Sequence, residues 1–173
     1  FQYSISTNVY TKKLDFAGSS NGSNPYGSLM QASDGSLYGM TFGGGTNSMG
    51  VFFQYNISTS TYTKKFDFAG STNGSYPYGS LIQASNGNLY GMTGQGGTNG
   101  GGVSFQYNPS TNTFTKILDF VGSSNGSQPL GSLMQATDGS LYGMTTYGGL
   151  IGMGTLFQYN LGTSTYTKKF DFG

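Results

Sequence analysis

The chain has 173 residues, a net charge of +1 and a charged fraction of only 8%, about a third of the usual ~25%. This balance gives no electrostatic reason to expect a nucleic acid or an anionic membrane as partner. No apolar run approaches the ~20 residues that cross a bilayer, so no membrane insertion is expected. The chain lacks Arg, Glu, His and Cys. We therefore expect no metal site and no cofactor, because the usual transition-metal ligands are missing and no D-x-D-x-D-G calcium loop is present.

The sequence repeats every 52 residues without insertion or deletion, and the first two repeats share 38 of 52 positions. Such a period is typical of a modular array in which each unit packs on its neighbours. The repeats define one continuous repeat domain. Its units are repeat 1 (1–52), repeat 2 (53–104), repeat 3 (105–156) and a partial fourth repeat (157–173).

Each repeat carries four predicted strands and few helix-forming patterns, because Gly, Ser, Thr and aromatic residues dominate. Two short apolar-rich runs flank Asp34-Gly35, which predicts a hairpin with a type I′ turn; Asn86-Gly87 and Asp138-Gly139 are its counterparts. A second hairpin follows a Gly-rich link, which lacks the Gly-Lys-Ser/Thr ending of a phosphate loop. The predicted strands of one unit are A (28–33), B (36–41), C (51–56) and D (62–68).

Four antiparallel strands in a unit of 40–50 residues are typical of a propeller blade. The fold class expected is therefore all-β, with tandem four-stranded antiparallel blades in a propeller-like arrangement: three 52-residue repeats plus a spare hairpin. Alternation along strand D predicts that Tyr62, Lys64, Phe66 and Phe68 share one face. Strands A and B carry apolar residues on both faces, which favours inner strands sandwiched between blades.

The stretch SLMQASDGSLYGMTFGGG, followed by an aromatic strand and a K-x-x-DF strand, resembles the Gloeo/Verruco-type tandem repeat of secreted bacterial proteins. The Leu-Tyr-Gly-Met-Thr segments at 37–41, 89–93 and 141–145, each followed by a glycine pair, carry this resemblance through all three repeats, with Met in place of the family's first Thr. The resemblance implies a propeller-like fold and a secreted or surface location. It implies no catalytic residues.

Three blades and a spare hairpin do not match the 4–8 blades of a closed propeller. Either the chain is a segment of a longer surface array, which its lack of an initial Met also suggests, or separate copies complete a ring or stack head to tail into a fibre. The partners expected are thus copies of the chain or further repeats. An unpaired hairpin is a template for strand addition.

Catalysis is not expected, because only Asp, Lys and Tyr are available for general acid–base chemistry. The turn position exchanges Asp for Asn between repeats, which a catalytic acid does not allow. The strand position carries Asp15, Asp67, Asp119 and Asp171. A solvated pairing with the Lys two residues earlier is the favoured interpretation, although Ile117 breaks that pattern. Two Asp from neighbouring repeats acting as glycosidase carboxylates are the alternative.

Sequons and aromatic residues supply the remaining candidate sites. The Asn-x-Ser sequences begin at Asn21, Asn73, Asn125 and Asn56, and they could carry N-linked sugar; turn composition copied with the repeat explains them equally. Tyr26 and Tyr78 flank the link proline and could stack on sugar rings, or they could pack between blades.

The uncharged polar composition is typical of proteins outside cells. We therefore expect a non-enzymatic structural repeat protein, extracellular or at the cell surface, that self-assembles or forms part of a surface array. A carbohydrate- or surface-binding propeller module is the alternative function.

Overall fold

The computed structural model describes all residues, 1–173, and contains strands without helices. The strands are β1 (Gln2–Ser4), β2 (Val9–Thr11), β3 (Met30–Gln31), β4 (Leu37–Thr41), β5 (Val51–Asn56), β6 (Thr61–Asp67), β7 (Ile82–Gln83), β8 (Leu89–Thr93), β9 (Val103–Asn108), β10 (Thr113–Asp119), β11 (Met134–Gln135), β12 (Leu141–Met144), β13 (Thr155–Asn160) and β14 (Thr165–Asp171). No helix is present that is long and apolar enough to cross a membrane.

The strands form three antiparallel four-stranded sheets and one two-stranded hairpin. The sheets have the orders β3-β4-β5-β6, β7-β8-β9-β10 and β11-β12-β13-β14, and the hairpin is β1-β2. We call the sheets blade 1 (28–68), blade 2 (80–120) and blade 3 (132–172), and the remaining pair the N-terminal hairpin (1–16). The predicted fold class is confirmed: the chain is a propeller-like array of all-β blades with a spare hairpin.

The turn between the two inner strands of each blade differs from the predicted type I′. Gly35 has φ +80°, but Asp34 does not have positive φ. Gly35 N donates to Ala32 O at 2.9 Å, and Ala32 N donates to Ser36 O at 2.9 Å, a one-residue-longer turn that ends in a left-handed glycine. Asp34 Oδ1 accepts a hydrogen bond from Ser36 N at 2.8 Å, which stabilises this turn.

The outermost strand of each blade contains a β-bulge, which makes the predicted alternation wrong. In blade 1, Phe52 pairs with Phe66 but Phe53 pairs with Lys64, so Lys65 is the extra residue. The bulge turns Phe66 and Phe68 to the opposite face from Tyr62 and Lys64. Sequence alternation cannot reveal this, because an inserted residue leaves no gap in the pattern.

The innermost strand is shorter than predicted: residues 28–33 were expected, and only Met30–Gln31 pair with β4. The two ends of this segment bind the next blade instead. Ser28 N donates to Ser80 Oγ at 2.7 Å, and Ser33 N donates to Gln83 Oε1 at 2.8 Å. The inner strand is therefore shared between its own sheet and its neighbour.

The hydrophobic core lies between blades. Each blade has a front face that packs on the next blade and a back face that receives the previous one. In blade 1 the front face comprises Met30, Tyr38, Met40, Phe52 and Phe66, and in blade 2 the back face comprises Leu81, Leu89, Phe105, Tyr107 and Phe114. A second cluster joins blades 2 and 3 in the same way. A single blade therefore leaves both of its apolar faces uncovered.

Glycines let the links between strands approach each other closely. The link before blade 2 pairs with the link inside it through Ser75 and Gln95. Gly97 N donates to Gly70 O at 2.9 Å, and a Cβ on Gly96 would lie 2.5 Å from that same oxygen. The Gly-rich segments are thus ordered packing elements that fix the position of each blade on the next.

Candidate functional site

The two internal interfaces share a hydrogen-bonded relay beside the apolar cluster, which we call the Ser–Gln relay. Between blades 1 and 2, Ser28 N donates to Ser80 Oγ, Ser33 N donates to Gln83 Oε1, and Gln83 Nε2 donates to Ser33 Oγ at 3.0 Å. Between blades 2 and 3 the same bonds join Ser80 to Ser132 and Ser85 to Gln135. The relay gives every front face a set of backbone donors and every back face the matching side-chain acceptors.

The front face of blade 3 packs on no further blade within residues 1–173, and its apolar side chains are exposed. Met144 is 58% exposed, whereas its counterpart Met92 at the internal interface is 2% exposed. Met134 and Phe170 are exposed in the same way. A contiguous apolar patch of this kind is typical of an interaction surface.

The back face of blade 1 lacks a complete preceding blade. Leu29 is 53% exposed, whereas its counterpart Leu81 is 3% exposed. A cavity of about 480 Å³ opens between this face and the N-terminal hairpin. Leu37, Phe53 and Tyr55 contribute to its lining. The hydroxyl of Tyr55 is buried without a hydrogen-bond partner, whereas the Tyr107 hydroxyl donates to Asn112 at 2.8 Å.

The N-terminal hairpin lies where the two outer strands of a preceding blade would lie. The rings of Phe16 and Phe53 are 5.6 Å apart at 61°; the equivalent pair Phe68–Phe105 is 5.9 Å apart at 59°. The far side of the hairpin is uncovered, and Phe1 is 81% exposed. The cavity therefore marks the place that the two inner strands of a preceding blade would fill.

The strand carboxylates pair with lysine, but through a different residue from the one predicted. The partner lies three positions earlier: Lys12–Asp15, Lys64–Asp67, Lys116–Asp119 and Lys168–Asp171 are 2.8–3.0 Å apart. The predicted pairing with Lys13, Lys65 and Lys169 is therefore wrong. In blades 1 and 3 the reason is the bulge, because Lys65 and Lys169 are its extra residues. The corrected pairing occurs in all four copies and explains why Ile117 is tolerated.

The internal Asp67 is held as a carboxylate. Burial opposes its ionisation, but hydrogen bonds from Lys64 and from the Thr46 backbone and hydroxyl outweigh this effect and lower the pKa of Asp67 below its usual value. Asp119 has a lowered pKa for the same reasons, with Lys116 and Thr98 as partners. These carboxylates link the outer strand to the Gly-rich link, and none is poised to exchange protons near neutral pH.

Replacement of Asp67 by Asn should lower the free energy of unfolding by about 1–3 kcal/mol at neutral pH, since it removes a charged acceptor. Because the folded-state pKa is depressed, this contribution is present above the unfolded pKa of ~3.9 and is lost as pH falls through the folded value. Denaturant titrations at several pH values measure both effects. Asp15→Asn is the matched control, since the Asp15 side chain is 73% exposed and little change is expected. Equal destabilisation by both variants would contradict the assignment.

The sequon asparagines of the links have a structural role. Asn73 Oδ1 accepts from Ala69 N at 2.6 Å, and Asn73 Nδ2 donates to Asp67 O at 3.1 Å. Asn21 and Asn125 make the same two bonds. Asn56 instead accepts from Ser58 and Thr59 in the outer hairpin loop. Their recurrence is thus explained by loop closure, and glycosylation stays a prediction.

The two tyrosines proposed for ligand stacking lie on each other. Tyr26 and Tyr78 are stacked with ring centres 5.6 Å apart at 9°, and both contact Phe42. Tyr26 is nevertheless 60% exposed. The structure therefore brings together the links before blades 1 and 2 through this pair and leaves Tyr26 accessible to solvent.

Sequence reasoning missed the Ser–Gln relay and the uncovered faces. A signal was present: Gln31, Gln83 and Gln135 recur at one repeat position, each followed by Ala and then Ser or Thr. A polar side chain at the same inner-strand position of every repeat indicates a hydrogen bond that each repeat makes. The partner of that bond lies on a neighbouring blade, so only the structure identifies it. No three His, Cys, Asp or Glu side chains lie close enough together to hold a metal ion.

These features define a class of protein: an all-β array of tandem four-stranded blades. A family model described as the Gloeobacter/Verrucomicrobia repeat matches residues 1–173. The chain belongs to this repeat family, as the Leu-Tyr-Gly-Met-Thr segments suggested. No curated protein matches it significantly.

Several solved structures share the fold at low sequence identity. The extracellular domain of a protein described as the hybrid two-component system BT4673 from B. thetaiotaomicron has a TM-score of 0.63 and 17% identity, covering 92% of this chain and 18% of that one. A second structure of that extracellular domain, described as a one-component system, gives 0.64 and 18%, covering 94% and 18%. TolB from Acinetobacter baumannii gives 0.54 and 14%, covering 82% and 31%. The chain thus spans less than a third of each of these proteins.

Proposed function

We propose that the chain is a non-enzymatic structural repeat module, extracellular or at the cell surface, which associates with copies of itself or with further repeats through its open blade faces. The observation that carries the proposal is the pair of uncovered surfaces: the front face of blade 3 and the back face of blade 1. Each is the exposed version of a surface that is buried at both internal interfaces. Burying one large apolar side chain contributes about 1.5–3 kcal/mol, so covering these faces is strongly favourable.

An extracellular location is supported by the composition, in which uncharged polar residues supply the solubility that charges usually supply. The likeness to extracellular domains agrees with this location. A structural role without catalysis is supported by the carboxylates, because Asp67 and Asp119 are committed to lysine and to backbone donors. Hydrolysis that Asp67→Asn abolished would contradict the non-enzymatic assignment.

Light scattering after size-exclusion chromatography tests the association. We expect species larger than the 18.2 kDa chain, in a proportion that rises with concentration. Met144→Asp should shift the protein to the monomer, since it places a charge on the front face of blade 3. Ser71→Asp is the matched control, because Ser71 is exposed in the link before blade 2 and lies outside both open faces. A native chain that stays monomeric at every concentration would contradict association between copies of the chain.

Carbohydrate binding is the second candidate function, and the exposed ring of Tyr26 is the observation that favours it. One face of the ring stacks on Tyr78 and the side chain stays exposed, which suits it to pack against a sugar face. A glycan array compares the native chain with Tyr26→Ala. Binding that the substitution removes would support this function, and an array without hits would exclude it for the sugars displayed.

A further inference from the structure

We propose that Asn99 is a site of spontaneous deamidation, at which the backbone nitrogen of Gly100 displaces the side-chain amide and leaves aspartate or isoaspartate at position 99. Asn-Gly is the dipeptide most prone to this reaction, because glycine has no side chain to hinder the attacking nitrogen. The chain contains five Asn-Gly dipeptides, which begin at Asn21, Asn73, Asn86, Asn99 and Asn125. These five sites look alike in the sequence, and the structure separates one of them from the other four.

The reaction consumes one water molecule and releases ammonia. The Gly100 nitrogen gives its proton to hydroxide and forms a bond to Cγ of Asn99. The bond from Cγ to Nδ2 then breaks, and the amide nitrogen leaves as ammonia after taking a proton from water, which restores the hydroxide. Water opens the resulting succinimide ring at either carbonyl, which gives aspartate from one opening and isoaspartate from the other. No oxidant, reductant or enzyme takes part.

Three of the five sites are held by hydrogen bonds in the links before the blades. Asn73 Oδ1 accepts from Ala69 N at 2.6 Å, and Asn73 Nδ2 donates to Asp67 O at 3.1 Å. The attacking nitrogen is bound as well, since Gly74 N donates to a backbone oxygen at 2.9 Å. The same three bonds are made at Asn21 and Asn125. They hold the leaving amide and the nucleophile apart.

The fourth site, Asn86, is held in the turn between the two inner strands of blade 2. Asn86 Nδ2 donates to Tyr90 Oη at 2.9 Å, and Asn86 Oδ1 accepts from Asn88 N at 3.1 Å. Gly87 N donates to Ala84 O at 2.9 Å. Attack by this nitrogen on the side chain would have to break all three bonds, and each bond slows the reaction.

Asn99 differs from the other four sites in its side chain and in the nitrogen that follows it. Its side chain is exposed, and neither Oδ1 nor Nδ2 has a hydrogen-bond partner in the chain. Gly100 N donates to Gly97 O at 3.4 Å, longer than the usual limit of about 3.2 Å and therefore weak. Gly100 has φ +75°, and nothing lies within 4 Å of the place where a Cβ would be. The nucleophile and the leaving amide are thus both free to meet.

Asn99 and Gly100 form the tip of a loop whose two sides are anchored. On one side Thr98 N donates to Asp119 Oδ1 at 2.9 Å, and on the other Gln128 N donates to the backbone oxygen of the residue after Gly100 at 2.8 Å. The extra backbone atom of isoaspartate would fall at this tip, outside the contacts that join the blades. The modified chain should therefore keep its fold and gain one negative charge, in a sequence with only 8% charged residues.

Peptide mass mapping of the full chain after incubation in mildly alkaline buffer tests the inference. Water enriched in the heavy oxygen isotope marks products that form before digestion, because ring opening takes its oxygen from water. We expect Asn99 to be converted at least about tenfold faster than Asn73, since the loss of two ordinary hydrogen bonds corresponds to a factor of this order. Electron-transfer fragmentation distinguishes the two products, and isoaspartate should be among them.

Two variants of the equivalent loops separate the effect of structure from that of sequence. Gly100→Ser should slow the reaction at Asn99, and the loop accepts this residue, since Ser48 has the same position in repeat 1 with φ +57°. Ser48→Gly creates an Asn-Gly dipeptide at Asn47, whose Nδ2 donates to Phe68 O at 2.9 Å. This dipeptide should react more slowly than Asn99. Equal rates at the two positions would contradict the role assigned to the hydrogen bonds.

The chain unfolded in denaturant is the reference, and all five sites should react there at similar rates. Equal rates at Asn99 and Asn73 in the folded chain would overturn the inference. A folded chain in which Asn99 stays unmodified, while the unfolded chain reacts, would overturn it as well. Selectivity for Asn99 that persists in denaturant would show that neighbouring residues select the site, which is the opposite of what the hydrogen bonds of the folded chain imply.

Discussion

Replacement of Phe105 by alanine is expected to lower the free energy of unfolding by about 3–5 kcal/mol, the range for a fully buried aromatic residue in a core. Phe105 is fully buried on the back face of blade 2. Its ring contacts Phe52 and Phe68 of the preceding blade and Phe114 of its own. The cavity left by the ring would lie between two blades. We therefore expect the substitution to weaken the contact between the two blades. Denaturant titration measures this effect as a lower free energy of unfolding.

Phe1 provides the matched control for this substitution. It occupies the same repeat position as Phe105, but no preceding strands cover it and it is 81% exposed. Phe1→Ala should change the stability of the monomer by no more than a few tenths of a kcal/mol. Similar losses from both substitutions would mean that the interface between blades is not where stability resides.

Replacement of Gly96 by alanine is expected to destabilise the fold by about 3 kcal/mol or more, because two costs add. Gly96 has φ +82°, a left-handed conformation that costs an L-residue about 1–2 kcal/mol. A Cβ there would also lie 2.5 Å from Gly70 O and 2.8 Å from Gly74 Cα, both backbone atoms that cannot rotate away. Thermal unfolding followed by circular dichroism measures the effect.

Replacement of Gly87 by alanine separates the conformational cost from the steric cost. Gly87 has φ +81° in the turn between the inner strands, and nothing lies within 4 Å of the Cβ that an alanine would add. Gly87→Ala should therefore carry the conformational cost alone, about 1–2 kcal/mol. If Gly96→Ala were no worse than Gly87→Ala, the contact between the two links would be dispensable for the fold.

Much of the fold could be predicted because its signals are local. The 52-residue period, the order of two hairpins per unit and the span of the third strand, Val51–Asn56, all follow from turn residues and apolar alternation. These depend on neighbouring residues of one strand or turn. The family resemblance, which depends on short motifs such as Leu37 to Thr41, is confirmed for the same reason.

The parts that sequence could not supply depend on contacts between strands or between blades. The bulge at Lys65 changes the face of Phe66 and the partner of Asp67, yet it adds no residue relative to the other repeats. The short inner strand ends where it does because Ser28 and Ser33 bind the next blade. Whether a blade face is covered depends on the blade that packs against it, and the residues of the face itself do not reveal this.

The sharing of the inner strand between two sheets has a thermodynamic consequence. A blade that loses its neighbour loses both apolar cover and the hydrogen bonds at the ends of its innermost strand, so opening of one interface weakens the adjacent sheet as well. Unfolding should then begin at the two outer units and spread inward, with amide protons of blade 2 exchanging last. The array behaves as a cooperative one-dimensional system whose ends fray, and joining those ends would remove the sites where fraying starts.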